Sequence, residues 1–177
     1  IYLNGDGVID DNDKYAVGHG LAPRLTYGFS LGAEWNGFDF SCLFQGNAGL
    51  QVYWQDKFYM GYINYGDVIN KEIAEGAWRE GRTNATYPRL LTGLNTLNAQ
   101  PSDFWVQNKS YLRLKNVQIG YKIPKKLLQK LDISQLRLYT SLENMLTFTS
   151  YKGIDPEISG TTYPTMKQIT VGVNVVF

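Results

Sequence analysis

The stretch "MKQITVGVNVVF" (Met166–Phe177) constrains the fold most. In it Ile169, Val171, Val173, Val175 and Phe177 alternate with Thr170, Gly172 and Asn174, and Val176 alone breaks the polar side. Successive side chains of a strand point to opposite faces, so this period-two pattern predicts one apolar and one polar face. Polar, fraying residues are the rule at chain ends, because a terminus gains little from burial. A strand this regular is therefore expected to turn its apolar side to something greasy.

Four further segments alternate in the same way. Leu25, Tyr27, Phe29, Leu31 and Ala33 oppose Thr26, Gly28, Ser30, Gly32 and Glu34. Phe38, Phe40, Cys42 and Phe44 oppose Asp39, Ser41, Leu43 and Gln45. Leu136, Leu138, Thr140 and Leu142 oppose Arg137, Tyr139, Ser141 and Glu143. In "YLRLKNVQIGYKI" the phase changes: Leu112 and Leu114 are even, whereas Val117, Ile119, Tyr121 and Ile123 are odd. One extra residue swaps the faces of a strand, so a bulge near Lys115–Asn116 is predicted.

The predicted connections are unequal. "EWNG" makes a tight turn, and "PKKLLQKLDIS" a turn with a short helical piece. "SYKGIDPEISGTTYPT" is a longer link, in which "IDPE" reads as a loop anchor, and the stretch from about 47 to 108 is far longer. Within it "GDVINKEIAEGAW" predicts a helix capped by Asp67, with Val68, Ile69, Ile73 and Trp78 as its apolar side. Short links alternating with long ones suit an outer-membrane barrel, whereas a compact soluble domain seldom carries so long an irregular insertion.

Composition narrows the function classes. The 17 basic and 16 acidic residues balance, so no nucleic-acid footprint is present. A single Cys (Cys42) and a single His (His19) argue against a disulfide framework and against an imidazole-based metal cluster or triad. No run approaches a membrane helix, but a transmembrane strand needs only about 9–11 residues of alternating polarity. Two physical readings therefore compete: a soluble β-sandwich, such as a carbohydrate-binding module, with apolar faces packed together, and a barrel wall with apolar faces in lipid. Trp35, Tyr27, Tyr121, Phe148 and Phe177 fall near predicted strand ends, where an interfacial girdle would place rings. Five strands cannot close a membrane barrel, so the barrel reading requires strands from a longer polypeptide or other copies.

Taken in order, several stretches resemble the carboxyl-terminal end of SusC/RagA-type TonB-dependent outer-membrane transporters of the Bacteroidetes. They are "LNGDGVIDDNDK" (Leu3–Lys14), "PRLTYGFSLGAEWNGFDFSCLFQG" (Pro23–Gly46), "ATYPRL" (Ala85–Leu90), "SDFWVQNKSYLRLKNVQIGYKIP" (Ser102–Pro124), "LRLYTSLENMLTFTSYKGIDPE" (Leu136–Glu157) and "YPTMKQITVGVNVVF" (Tyr163–Phe177). The resemblance implies an all-β fold: the C-terminal antiparallel strands of a large transmembrane β-barrel with long extracellular loops. Residues 1–23 would be an outer loop and 24–177 the barrel segment, part of a longer chain. It further implies import of oligosaccharide or peptide across the bacterial outer membrane, with an SusD-like lipoprotein partner. TonB would act through an amino-terminal part not included in this sequence. Ile169, Val171, Val173, Val175 and Phe177 would be the signal read by the barrel-assembly machinery.

Two features bear on ligands. "YLNGDGVIDDND" lines up with the calcium-loop pattern, with Asn4, Asp6, the Val8 carbonyl, Asp10 and Asp13 at ligand positions and Gly7 at the turn. Tyr2 stands at the first position, where the pattern wants Asp, so a weakened Ca²⁺ site and a hydrogen-bonded Asx-rich turn are both open readings; no other cofactor is expected. The long loop is rich in rings, among them Tyr53, Trp54, Tyr59 and Trp78, which suit either stacking on sugars and partner contact or packing of the loop. Carboxylate pairs such as Asp155 with Glu157, or Asp103 with Glu143, have no separation fixed by the sequence. No enzymatic activity is expected.

Overall fold

In a computed structural model, residues 5–8, 10–16, 18, 20, 22–53, 62–63, 69–92, 102–129, 132–158 and 162–177 are described. The elements are β1 (Leu25–Trp35), β2 (Phe38–Ala48), β3 (Gln51–Tyr53), β4 (Tyr62–Ile63), α1 (Lys71–Gly76), β5 (Leu91–Thr92), β6 (Val106–Asn108), β7 (Tyr111–Lys122), α2 (Lys125–Leu128), β8 (Gln135–Thr149) and β9 (Gln168–Val176). Five of them form one sheet in the order β1-β2-β7-β8-β9, every pair antiparallel. The chain divides into two compact units, one of residues 1–19 with 52–107, the other of 20–51 with 108–177.

The sheet belongs to the second unit, and its register puts the apolar alternation of all five strands on one side. Phe29 pairs with Phe44, which pairs with Leu114, which pairs with Leu146. Nearer the tight turn, Phe40 pairs with Ile119, Ile119 with Thr140, and Thr140 with Val171. The predicted bulge is present. Against β2 the adjacent Leu43 and Phe44 face Asn116 and Leu114, leaving Lys115 as the extra residue that restores the face of Leu112 and Leu114; against β8, Asn144 and Met145 stand opposite the single Lys115.

Local chemistry explains the turns. β1 and β2 join through Asn36 and Gly37, whose φ values of 48° and 85° make the two-residue turn that follows strand twist. Asn tolerates that region and Gly adopts it freely. Among rings at this end of the sheet, Phe38 and Tyr121 sit 4.5 Å apart. Gly120 serves a different need. Arg137 and Asp39 meet directly over it, and a Cβ there would lie 2.5 Å from both side chains.

What buries what is inverted relative to a water-soluble sheet. Leu31, Ile169, Val171 and Val173 are 59%, 65%, 76% and 55% exposed, on a face that a sandwich would have to cover with a second sheet. The sandwich reading is corrected on this ground, because among the described residues nothing shields those side chains. Buried positions of this unit include Lys109, Arg113, Ser141 and Asp155. The first unit has an ordinary core, in which Ile73, Tyr87 and Trp105 pack together with Tyr53 and Leu90 against them. Its helix α1 is shorter than the sequence predicts and is capped by Asn70, whose side chain accepts from the Glu72 N–H, so Asp67 is not the cap. Ile73 is buried as expected, whereas Trp78 lies past the helix and is exposed. Asp67 and Val68 fall outside the described residues. No helix among the described residues is long and apolar enough to cross a membrane, which says nothing of strands.

Candidate functional site

The polar face of the sheet carries the chemistry. Near the β1–β2 turn, Arg137 of β8 donates through Nε to Asp39 Oδ2 of β2 at 2.8 Å, pairs through Nη2 with Asp39 Oδ1, and reaches Gln118 Oε1 at 3.2 Å. The Arg137 guanidinium also lies 5.1 Å from the Tyr139 ring. Midway, Asn116 Nδ2 donates to Ser141 Oγ at 2.9 Å. On the side that the alternation leaves polar, the first of these contacts spans β2 to β8 across β7 and the second ties the adjacent β7 and β8.

The densest cluster lies at the other end. By register Arg113 stands beside Gln45 and Thr147, and Tyr111 beside Asn47 and Thr149, all on the polar face. The β8–β9 connection returns over this face and brings two carboxylates to it. Arg113 Nη2 donates to Asp155 Oδ1 at 2.7 Å, Nη1 pairs with Glu157 Oε2, and Nε donates to Thr147 Oγ1 at 2.9 Å. Lys115 Nζ sits 2.6 Å from Glu157 Oε1, and the Tyr111 hydroxyl donates to the same oxygen at 2.7 Å. Lys109 donates to the Ile158 carbonyl and lies 5.6 Å from the Tyr151 ring.

Asp155 also shapes its own loop, accepting from the N–H of Glu157 at 2.9 Å and of Thr165 at 3.0 Å. Burial by itself would raise the Asp155 carboxyl. The Arg113 hydrogen bond and these backbone donors outweigh it and bring the pKa down to about 2. Burial lowers the Lys109 amine, against the opposing pull of the Asp155 carboxylate. A carboxyl held this low is not a general acid, which a glycosidase-like pair would need. The geometry makes Asp155 and Glu157 anchors.

The sequence-predicted residues fall as follows. Tyr53 packs against the core of the first unit, where burial raises its phenol. Trp78 is exposed and borders an open cavity of about 500 Å³ together with Arg79, Arg89 and Leu90. Trp54 and Tyr59 lie outside the described residues, as do Asn4 and His19. In the acidic loop, Asp6 Oδ1 accepts from the Val8 N–H and Asp10 Oδ1 from the Asn12 N–H. Asp13 Oδ2 accepts from the Asp10 N–H, completing a capping box. Among the described residues no three His, Cys, Asp or Glu side chains converge as a metal site would require. Ile169, Val171, Val173 and Val175 line β9 on the apolar face, and Phe177 follows, 86% exposed.

The Arg113 cluster is the feature that sequence reading missed. "IDPE" was legible as a loop anchor, but not what it anchors to. The spacing Lys109, Arg113, Lys115 carries no motif of its own, and the bulge at Lys115 decides that the third cation joins the other two.

Comparison with known proteins adds a second line of observation. No family model matches the chain. TonB-dependent receptor P3 of Formosa agariphila is 31% identical over 99% of the chain, and TonB-dependent receptor P39 of the same organism 32% identical over 98%. TonB-dependent receptor SusC of Bacteroides thetaiotaomicron is 27% identical over 98%. The chain spans only 17–18% of the length of these curated relatives. Among solved structures, the RagAB peptide importer in its open-open state matches with a TM-score of 0.69 and 31% identity, covering 89% of this chain and 17% of that one. Its closed-closed state gives the same TM-score at 28% identity over 96% of this chain.

Proposed function

From the premise that this chain is a homologue of the C-terminal part of SusC/RagA-type TonB-dependent receptors, we propose that it supplies barrel wall, polar lining and outer loops to an outer-membrane nutrient importer. The observation that carries the reading is the two-sided sheet: apolar side chains left open across five strands, and arginine, lysine and carboxylate groups buried on the reverse. Such a sheet is unfavourable in water and favourable as a wall between lipid and a wet lumen. The cargo is an oligosaccharide or a peptide. An SusD-like lipoprotein covers the outer mouth, TonB drives the cycle through the amino-terminal part of the receptor, and the barrel-assembly machinery reads the β9 pattern ending at Phe177. The role is passage and recognition, without bond-making chemistry.

Fractionation of the full-length receptor tests this. It should require detergent, travel with outer membrane, migrate on gels according to prior heating, and bring a lipoprotein with it on purification. Recovery as a water-soluble monomer would end the proposal.

A further inference from the structure

Among the described residues, Asp155, Glu157 and the Ile158 carbonyl of the β8–β9 connection are all held by β7 and the residue Lys109 just before it. We infer that residues 151–158 form a fixed strap across the polar face, clamped by Lys109, Arg113 and Lys115, which constricts the passage on that side. The inference rests on the barrel reading, since only there is the polar face a passage.

The geometry distinguishes a strap from a gate. A segment that opens during each cycle is drawn from the less stable parts of a fold, with solvated, exchangeable contacts. Here the side chains of Arg113 and Asp155 are each 4% exposed, and all three guanidinium nitrogens of Arg113 have acceptors. Asp155 is held from its own loop as well, so the backbone of the strap is built around the carboxylate that anchors it. Pulling the strap away would separate an ion pair whose two side chains are both buried, and with it the Glu157 contacts to Tyr111 and Lys115. The strap thus stays shut while solutes pass, and what crosses this part of the lumen must fit around it. Ile154, next to the clamped Asp155, is 69% exposed.

The test uses the full-length receptor in cells, carrying Ile154→Cys and Cys42→Ser with any other thiols removed. A small maleimide and one bearing a polymer of several kilodaltons are added from outside. The small reagent should label the new thiol and the bulky one should be slower by roughly tenfold or more. Arg113→Met should release the strap and remove most of that difference. Glu157→Gln, which keeps the Arg113–Asp155 pair, should give an intermediate rate and decides the matter should Arg113→Met fail to assemble. Equal labelling by both reagents in the parent, or unchanged rates in the variants, would overturn the strap. Heat-modifiable migration is read in every sample: its absence throughout condemns the barrel reading, while its presence with an unprotected thiol condemns only the strap.

Discussion

The two units of this chain solve opposite problems. The first buries Ile73 and Trp105 to 1% and 2% exposure and keeps Arg79, Glu80 and Arg89 on its surface. The second leaves Val171 and Ile169 mostly exposed and buries Lys109, Arg113 and Asp155. One chain thus carries a water-adapted module and an inverted one, and each interior predicts its solvent. Where water surrounds a unit, burial of apolar area stabilises it. Where lipid surrounds it, apolar area gains nothing from the interior, and paired polar groups collect on the side away from lipid.

That contrast can be broken by mutation. The largest effect is expected in the first unit: Ile73→Ala should destabilise the 52–107 module by about 2–5 kcal/mol, read as faster proteolysis there, with the strands untouched. In the second unit Val171→Arg should cost about 2–4 kcal/mol of barrel stability, because an arginine near the middle of the apolar face meets lipid. Thr170→Arg, one residue away on the polar face, should cost far less. Equal costs at 170 and 171, measured by reversible unfolding in lipid, would contradict the assignment of faces.

A smaller effect sharpens the picture of the strap. Asp155 has a native pKa of about 2, below its ordinary value of 3.8, so the folded state binds the proton less readily than the released one. Its contribution is therefore complete above about pH 4 and declines as pH falls toward 2. The groups around it are Arg113, Lys109 and Lys115, with Tyr111 and Glu157 alongside. Protease cutting within 151–158 should rise on acidification in the parent receptor and rise less steeply in an Asp155→Asn variant, where only the Glu157 carboxylate of the strap still titrates.

How far the sequence discloses all this depends on the range of the interaction. The strands and their faces were readable because alternation is local, and the bulge at Lys115 because a phase change in one strand requires one. The cap of α1 was misplaced by three residues: Asp67 and Asn70 are both good caps, and the position of the buried Ile73 decides between them. The Arg113–Asp155 pair spans 42 residues and the Arg137–Asp39 pair 98, so no window along the chain contains either. Gly120 illustrates the same limit, since its need for a missing side chain arises from two residues on two other strands.

The most direct measurement is a spin-label scan along β9 in the full-length receptor reconstituted in lipid. Labels at 169, 171, 173 and 175 should be reached by oxygen dissolved in the bilayer, and those at 170, 172 and 174 by a water-soluble relaxing agent, with a period of two. Loss of that alternation, or odd positions shielded from both agents as in a protein interior, would contradict the claim that lipid solvates this face.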